Sequence, residues 1–149
     1  MSAVAADFST STWLTIPSRP TAVRDGLRAL LDTVLLRSLP EDGRETAEIV
    51  LAEALNNIVE HAYANHRGEI EISLELQRNE LWCQISDTGL PMPNGQLPDG
   101  ITMPFDPQDM PVGGFGWLLI RSLSKDLVYR REAGRNLLSF RLETQQSPA

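Results

Sequence analysis

Hydrophobic and polar positions recur along this chain with two different periods. Apolar residues return every three or four positions in 21–38 and again in 44–64, which predicts two amphipathic helices. In 69–76 apolar and polar residues alternate, and in 81–85 they alternate again, which predicts two strands joined in a hairpin. The pattern therefore changes from helical to extended at Gly68.

Shorter patterns complete the predicted elements. Residues 11–17 indicate a short strand that ends in proline, and 117–123 returns to a helical pattern. Residues 127–131 and 136–142 indicate a second hairpin that closes the chain. Runs of antiparallel strands with helices on one face predict an α+β fold, a two-layer α/β sandwich with a mostly antiparallel sheet.

The domain plan is simple. Residues 1–10 are small and polar and predict a flexible N-terminus. Residues 11–145 form one predicted domain, because no linker or repeat divides them. Residues 88–113 contain many prolines and glycines and show no periodicity, which is typical of a functional or disordered loop.

Composition narrows the class of protein. The chain has 149 residues, 42% of them hydrophobic, and a formal charge of −7. This charge disfavours direct nucleic-acid binding, and an acidic face could instead meet a basic protein partner. No apolar run is long enough to span a membrane, and no secretory signal is recognisable, so we expect a cytoplasmic protein.

A few residue types carry little predicted chemistry. Cys83 lies on the apolar phase of its strand and is expected to be a buried, inert thiol. Trp13, Trp82 and Trp117 are expected to pack in the interior rather than to stack on bases. Two histidines and one cysteine do not make a zinc site.

The sequence from Glu53 to Ala62 combines a carboxylate and an amide on one helical face. Glu53 and Asn57 are four residues apart, and His61 follows one turn later. A carboxylate in this setting can accept a proton from a hydroxyl, and an amide oxygen is a hard ligand suited to Mg²⁺. The alternative is a solvated polar face of an ordinary helix.

Two glycine-containing segments follow. Asp87-Thr88-Gly89 ends a strand, where the carboxylate could accept the exocyclic amine of adenine; the alternative is an ordinary turn. Gly113-Gly114-Phe115-Gly116 leads into an apolar helix, and the exposed N–H groups of such a start favour phosphate. The alternative there is a flexible hinge, and the segment is neither a P-loop nor a dinucleotide-binding fingerprint.

These three motifs, in this order, resemble the ATP-binding superfamily shared by gyrase, Hsp90, sensor histidine kinases and MutL. More closely, the short chain with Glu53 four residues before Asn57 resembles the bacterial anti-sigma-factor serine kinases. The resemblance covers about 11–143. It implies that Glu53 is the catalytic base, that Asn57 holds Mg²⁺ and that Asp87 contacts adenine. The remaining nucleotide-binding residues that it implies are His61, Ala62, Gly89, Gly113, Gly114, Phe115, Gly116, Trp117 and Leu118.

The resemblance also implies partners and cofactors. The cofactors would be ATP and Mg²⁺, and the substrate would be a serine of an anti-anti-sigma (STAS-domain) protein. The chain would hold a sigma factor, or a substitute regulator, in a partner-switching pathway, and homodimers are usual among similar proteins. The chain departs from the family pattern at Pro91-Met92-Pro93 and at Trp117, while Pro104-Phe105-Asp106-Pro107 occurs later, inside the expected lid 90–112.

Two other functions compete with this interpretation. A non-catalytic regulator would use ATP only to tighten its grip on a partner, and the presence of Glu53 favours the enzyme over this alternative. The catalytic piece of a sensor histidine kinase is disfavoured, because both histidines lie within or after the first motif and no phosphoacceptor helices precede it.

Overall fold

Antiparallel strands form one sheet in the computed structural model, which describes residues 6–7, 10–63, 67–97 and 114–144. In these residues the sheet has six strands in the order β1-β2-β3-β4-β6-β5. The strands are β1 (Ala6–Asp7), β2 (Ser11–Pro17), β3 (Glu69–Gln77), β4 (Glu80–Asp87), β5 (Lys125–Glu132) and β6 (Arg135–Glu143). The predicted antiparallel sheet and both predicted hairpins are confirmed.

The described helices pack on one face of this sheet. They are α1 (Pro20–Leu31), α2 (Val34–Arg37), α3 (Glu41–Asn57) and α4 (Gly114–Leu123), with a π-helical turn (Ile58–Ala62) directly after α3 and a short 3₁₀ turn (Pro93–Gly95). None of the helices in the described ranges is long and apolar enough to cross a membrane. The predicted two-layer α+β architecture is confirmed.

The core lies between the helices and the sheet. The inward stripe of α3 is completely buried at Ala47, Leu51 and Leu55, as the helical period predicts. Ile70 and Ile72 meet it from β3, because alternate residues of a strand point to the same face. Burial of this apolar surface is the main stabilising term of the fold and fixes α3 against the sheet.

The predicted helix over 21–38 is wrong in one respect, because it is broken into α1 and α2. Thr33 is buried at the break, where its Oγ1 donates to the Leu30 carbonyl at 2.6 Å and accepts from the Leu36 amide at 3.4 Å. The same hydroxyl therefore closes α1 and caps α2. A threonine that bonds to the backbone in this way offers it an alternative to a continuous helix.

The tryptophans divide between the two faces of the sheet. Trp117 is buried with 5% exposure, whereas Trp13 and Trp82 are 51% and 42% exposed on the face away from the helices. The prediction of interior packing is thus confirmed for Trp117 and wrong for the other two, which lie on the outward phase of their strands. The Arg141 guanidinium lies 5.0 Å from the centre of the Trp82 ring.

Cys83 follows Trp82 on β4, and its side chain therefore points to the opposite, inward face of the sheet. Cys83 is buried, as predicted, and burial raises the pKa of its thiol far above the ordinary value. The thiol is therefore protonated and unreactive in the folded protein.

Part of the segment predicted to be flexible joins the sheet. Ala6 lies opposite Trp13, and Asp7 lies opposite Thr12, in the short pairing of β1 with β2. The boundaries 1–10 and 11–145 stay a prediction.

Candidate functional site

The packing of α3 against α4 brings the first and third motifs together. A Cβ atom placed on Gly116 would lie 2.8 Å from Glu53 Oε2 and 3.2 Å from Asn57 Nδ2. Only a residue without a side chain allows this approach, because both distances are below ordinary van der Waals contact. Glu53, Asn57 and Gly116 therefore form one cluster, with Asn57 buried and Glu53 partly exposed.

The amide of Asn57 has a defined orientation. Its Nδ2 donates to the backbone carbonyl of Glu53 at 2.9 Å, so that Oδ1 is left as the free acceptor. No hydrogen bond to Oδ1 is formed within the described part of the chain. A neutral amide oxygen without an internal partner fits a hard cation such as Mg²⁺, which keeps several waters and substrate oxygens among its ligands.

The π-helical turn places the end of this helix beside the second motif. The Tyr63 amide donates to the Ile58 carbonyl five residues back, and the Ala62 carbonyl accepts from the Leu90 amide at 2.8 Å. A Cβ atom on Gly89 would lie 2.4 Å from the Ala62 oxygen. Single π turns are frequent at functional sites, and this one brings Ala62 and Gly89 into direct contact.

Asp87 is a buried carboxylate at the end of β4, with 3% exposure. Its Oδ1 accepts from the Gly89 amide and from Asn136 Nδ2, both at 2.8 Å. Burial raises its pKa, while the two hydrogen bonds and the charges of Arg131 and Arg135 lower it. Among the described residues Oδ2 has no hydrogen-bond partner, so this oxygen is available to a ligand.

A cavity of about 260 Å³ lies between these groups. Its volume is below the roughly 300–1,000 Å³ of a drug-sized ligand pocket and suits a flat base rather than a whole nucleotide. Its polar lining residues are Asn57, His61, Asp87, Tyr129 and Asn136. Its apolar lining residues are Ala54, Ile58, Ala62, Leu90, Pro91, Met92, Pro93, Trp117 and Leu138.

Two of the polar lining residues, Tyr129 and Asn136, were not predicted from the sequence. Asn136 is 5% exposed and touches Asp87 directly, and the Tyr129 hydroxyl donates to Asn136 Oδ1 at 2.5 Å and accepts from the Met92 amide at 2.9 Å. Both residues lie on the final hairpin and belong to no motif. Only the predicted pairing of this hairpin with the rest of the sheet could have pointed to them.

The remaining predicted site residues lie on α4 or outside the described residues. Gly114 and Gly116 of the third motif are part of the first turn of α4. Trp117 lines the cavity, and Leu118 is partly buried. Gly113 and the side chain of Phe115 lie outside the described residues, as do 98–112 of the expected lid.

A larger depression of about 390 Å³ lies on the opposite face of the sheet, around Trp13, Trp82 and Arg141. None of the residues of the three motifs lines it. The smaller cavity is therefore the candidate site, because it alone of the two joins the three motifs.

The sequence match to a family model gives the class of this domain. Residues 16–142 match the family model described as histidine kinase-like ATPase domain, and the chain belongs to this family. The predicted superfamily is thereby confirmed.

The most informative relatives are bacterial kinases. The chain is 32% identical over 102 residues to the serine-protein kinase RsbW of Bacillus thuringiensis (strain Al Hakam) and of Bacillus anthracis. Each match covers 65% of this chain and 62% of the relative. This similarity supports the predicted resemblance to the anti-sigma-factor serine kinases.

A solved structure shows the same fold. The blue-light activated histidine kinase of Erythrobacter litoralis EL346 superposes with a TM-score of 0.53 at 18% identity, over 76% of this chain and 33% of that protein.

Proposed function

We propose that this chain is an ATP-dependent protein-serine kinase that also acts as an anti-sigma factor. The observation that carries the proposal is the cluster of Glu53, Asn57 and Gly116, which places a carboxylate oxygen and the Asn57 side-chain amide against the first turn of a helix. The similarity to serine-protein kinases named RsbW supports the choice of serine as the acceptor.

The cluster suits phosphoryl transfer. A serine hydroxyl of the partner would attack the γ-phosphorus, the bond from that phosphorus to the bridging oxygen would break, and ADP would leave. Glu53 accepts the hydroxyl proton, and the N–H groups at the start of α4 face the phosphates. Mg²⁺, when bound through Asn57 Oδ1, would neutralise phosphate charge.

In the proposed complex Glu53 and Asn57 act on the phosphate groups, and Asp87 acts on the adenine ring. Asp87 Oδ2 accepts the exocyclic amine of adenine, while Ile58, Trp117 and Leu138 cover the faces of the ring. The partner proteins belong to the same proposal: a serine of an anti-anti-sigma (STAS-domain) protein is the substrate, and a sigma factor or substitute regulator is held by a cytoplasmic homodimer.

Nucleotide binding can be measured without a partner. Trp117 lines the cavity, whereas Trp13 and Trp82 lie on the other face of the sheet. In the double variant Trp13→Phe/Trp82→Phe the fluorescence of Trp117 alone should change with Mg-ATP and saturate. Absence of any saturable change, confirmed by calorimetry, would contradict the proposed nucleotide site.

Transfer is tested by intact mass after mixing with Mg-ATP and an anti-anti-sigma domain. The expected result is one added phosphoryl group on the partner's serine. Glu53→Gln should keep ATP binding and lower transfer by a factor on the order of 10²–10⁴. Glu48→Gln is the matched control, because Glu48 is exposed on the same helix. A tight nucleotide-dependent complex without a mass change would instead identify a non-catalytic, ATP-gated regulator.

A further inference from the structure

We infer that Asn136 is a positioning residue that sets the preference for adenine, because it holds the Asp87 carboxylate in one orientation against the cavity. This inference rests on the proposed adenine-nucleotide site. It assigns a role to a residue of the last strand that belongs to none of the three motifs.

The sheet register places the two residues side by side. Asn136 on β6 is the direct cross-strand partner of Asp87 on β4. Both side chains are buried, with 5% and 3% exposure. Side chains of directly opposite residues are close enough to interact, so this contact is built into the pairing of the two strands.

Every hydrogen-bonding atom of the Asn136 amide is used. Its Nδ2 donates to Asp87 Oδ1 and to the Leu90 carbonyl, both at 2.8 Å. Its Oδ1 accepts from the Tyr129 hydroxyl at 2.5 Å and from Arg131 Nη1 at 3.0 Å. A rotated amide would set its oxygen against two acceptors, Asp87 Oδ1 and the Leu90 carbonyl, and its nitrogen against the Arg131 guanidinium, which only donates. Only the observed orientation therefore satisfies all four contacts.

This fixed amide determines which oxygen of Asp87 meets a ligand. Oδ1 already accepts from Asn136 Nδ2 and from the Gly89 amide. A donor that enters the cavity therefore has to bond to Oδ2, which has no partner among the described residues. Without the amide, the carboxylate would keep only the Gly89 contact and could rotate about its χ2 bond.

The same network holds the wall of the cavity that follows Asp87. Arg131 Nη1 donates to the Gly89 carbonyl at 2.7 Å, and the Tyr129 hydroxyl accepts from the Met92 amide at 2.9 Å. Asn136 joins these contacts at their centre. Asn136 thus contacts both the carboxylate that reads the base and the backbone that borders it, and Arg131 and Tyr129 hold the same backbone.

The test compares two ligands that differ only in the group that Asp87 reads. ATP carries the exocyclic amine, and purine riboside triphosphate lacks it. Affinities are measured by calorimetry for the wild type and for Asn136→Leu, which keeps a similar shape without polar atoms. Trp117 fluorescence in the Trp13→Phe/Trp82→Phe background provides a second readout. We expect Asn136→Leu to lower the affinity for ATP by about 10–100-fold, which corresponds to the loss of one hydrogen bond to a charged group. The affinity for purine riboside triphosphate should fall much less.

Two further variants separate positioning from a general loss of structure. Asn136→Ser restores one donor to Asp87 and should recover part of the preference for ATP. In an Asp87→Asn background, Asn136→Leu should have little further effect on ATP, because the group it positions is already gone. Circular dichroism and thermal unfolding show whether each variant is folded.

The outcomes distinguish the inference from the function on which it rests. Equal weakening of both ligands by Asn136→Leu in a folded protein, or an unchanged preference for ATP, would overturn the positioning role while the wild type still prefers ATP. A wild type that binds both ligands equally would overturn the assignment of Asp87 and, with it, this inference.

Discussion

Two carboxylates of the site lie in contrasting surroundings. Glu53 is partly exposed at the contact of α3 with α4, whereas Asp87 is buried with one oxygen bonded and the other free. A group that exchanges a proton with substrate benefits from access, and a group that reads a base benefits from a fixed, dry setting. The surroundings of the two acids therefore agree with the different tasks proposed for them.

The first prediction concerns the cost of keeping Asp87 charged. Since burial raises its pKa, its contribution to the free energy of unfolding is most favourable below the ordinary pKa and is lost as the pH rises through the raised value. At neutral pH without nucleotide, Asp87→Asn should be as stable as the wild type or more stable, although it binds ATP more weakly.

Urea unfolding at about pH 5 and about pH 7 measures this effect. The stability gained by Asp87→Asn should be larger at the higher pH. Asp25→Asn changes the same charge on the exposed face of α1 and should show no such gain. A large loss of stability in Asp87→Asn at neutral pH would contradict the prediction.

The second prediction concerns Gly116. An alanine there would push on Glu53 Oε2, the far end of a movable side chain, while alanine favours the helix by about 1 kcal/mol over glycine. Gly116→Ala should therefore fold normally yet displace Glu53, with a loss of transfer rate of about 10²-fold.

Single-turnover transfer and thermal unfolding of the same preparation separate the two effects. Ser122→Ala, an exposed position of the same helix, is the control. Undiminished transfer in Gly116→Ala would mean that the close approach is not needed for catalysis.

The π-helical turn joins the first helix of the site to the second motif. Because Gly89 would direct a Cβ atom at a backbone oxygen of this turn, Gly89→Ala cannot be relieved by a change of rotamer. We expect it to lower the free energy of unfolding by at least ~2 kcal/mol and to reduce ATP binding.

Gly95→Ala provides the comparison, measured by the same urea titration. Gly95 has a φ of +67° and no atom near its added Cβ, so its cost of about 1–2 kcal/mol comes from the backbone alone. Equal effects of the two variants would show that the contact with Ala62 is unimportant.

Local periodicity was sufficient for most of these elements. The inward stripe of α3 and the alternation of β3 follow from residues close together in the chain, so the sheet and its covering helices could be predicted. The break at Thr33 and the π turn could not be predicted. Each depends on which backbone groups form hydrogen bonds, at Thr33 with its hydroxyl and at Tyr63 with its amide, and the hydrophobic pattern does not show this choice.

The site was predicted unevenly for the same reason. Glu53 and Asn57 are one turn apart, and their spacing is visible in the sequence. Asn136 lies 49 residues from Asp87, and Tyr129 lies 37 residues from Met92, so only the folded sheet brings them together. Their roles follow from the register in which β6 pairs with β4 and β5, and this register cannot be deduced from a local motif.

The whole domain should respond to nucleotide as one unit, since the cavity lies between both layers. Mg-ATP at about 100 times its dissociation constant stabilises a single-site protein by about 2.7 kcal/mol. For a domain of this size the midpoint of thermal unfolding should rise by roughly 5–10 °C.

Scanning calorimetry with Mg-ATP and with Mg-GTP at equal concentrations tests this prediction. The rise should be smaller with GTP and should fall strongly for ATP in Asp87→Asn. An equal rise with both nucleotides would indicate binding through the phosphates alone.

The buried Cys83 has a consequence for labelling chemistry. It is the only cysteine of the chain, and its thiol is enclosed in the core on β4. The folded protein should therefore behave as cysteine-free toward maleimides, so that a cysteine introduced at exposed Gln96 would take a single dye. In the unmodified chain, the slow rate of Cys83 alkylation would then report how often the core opens. Bound nucleotide should lower that rate.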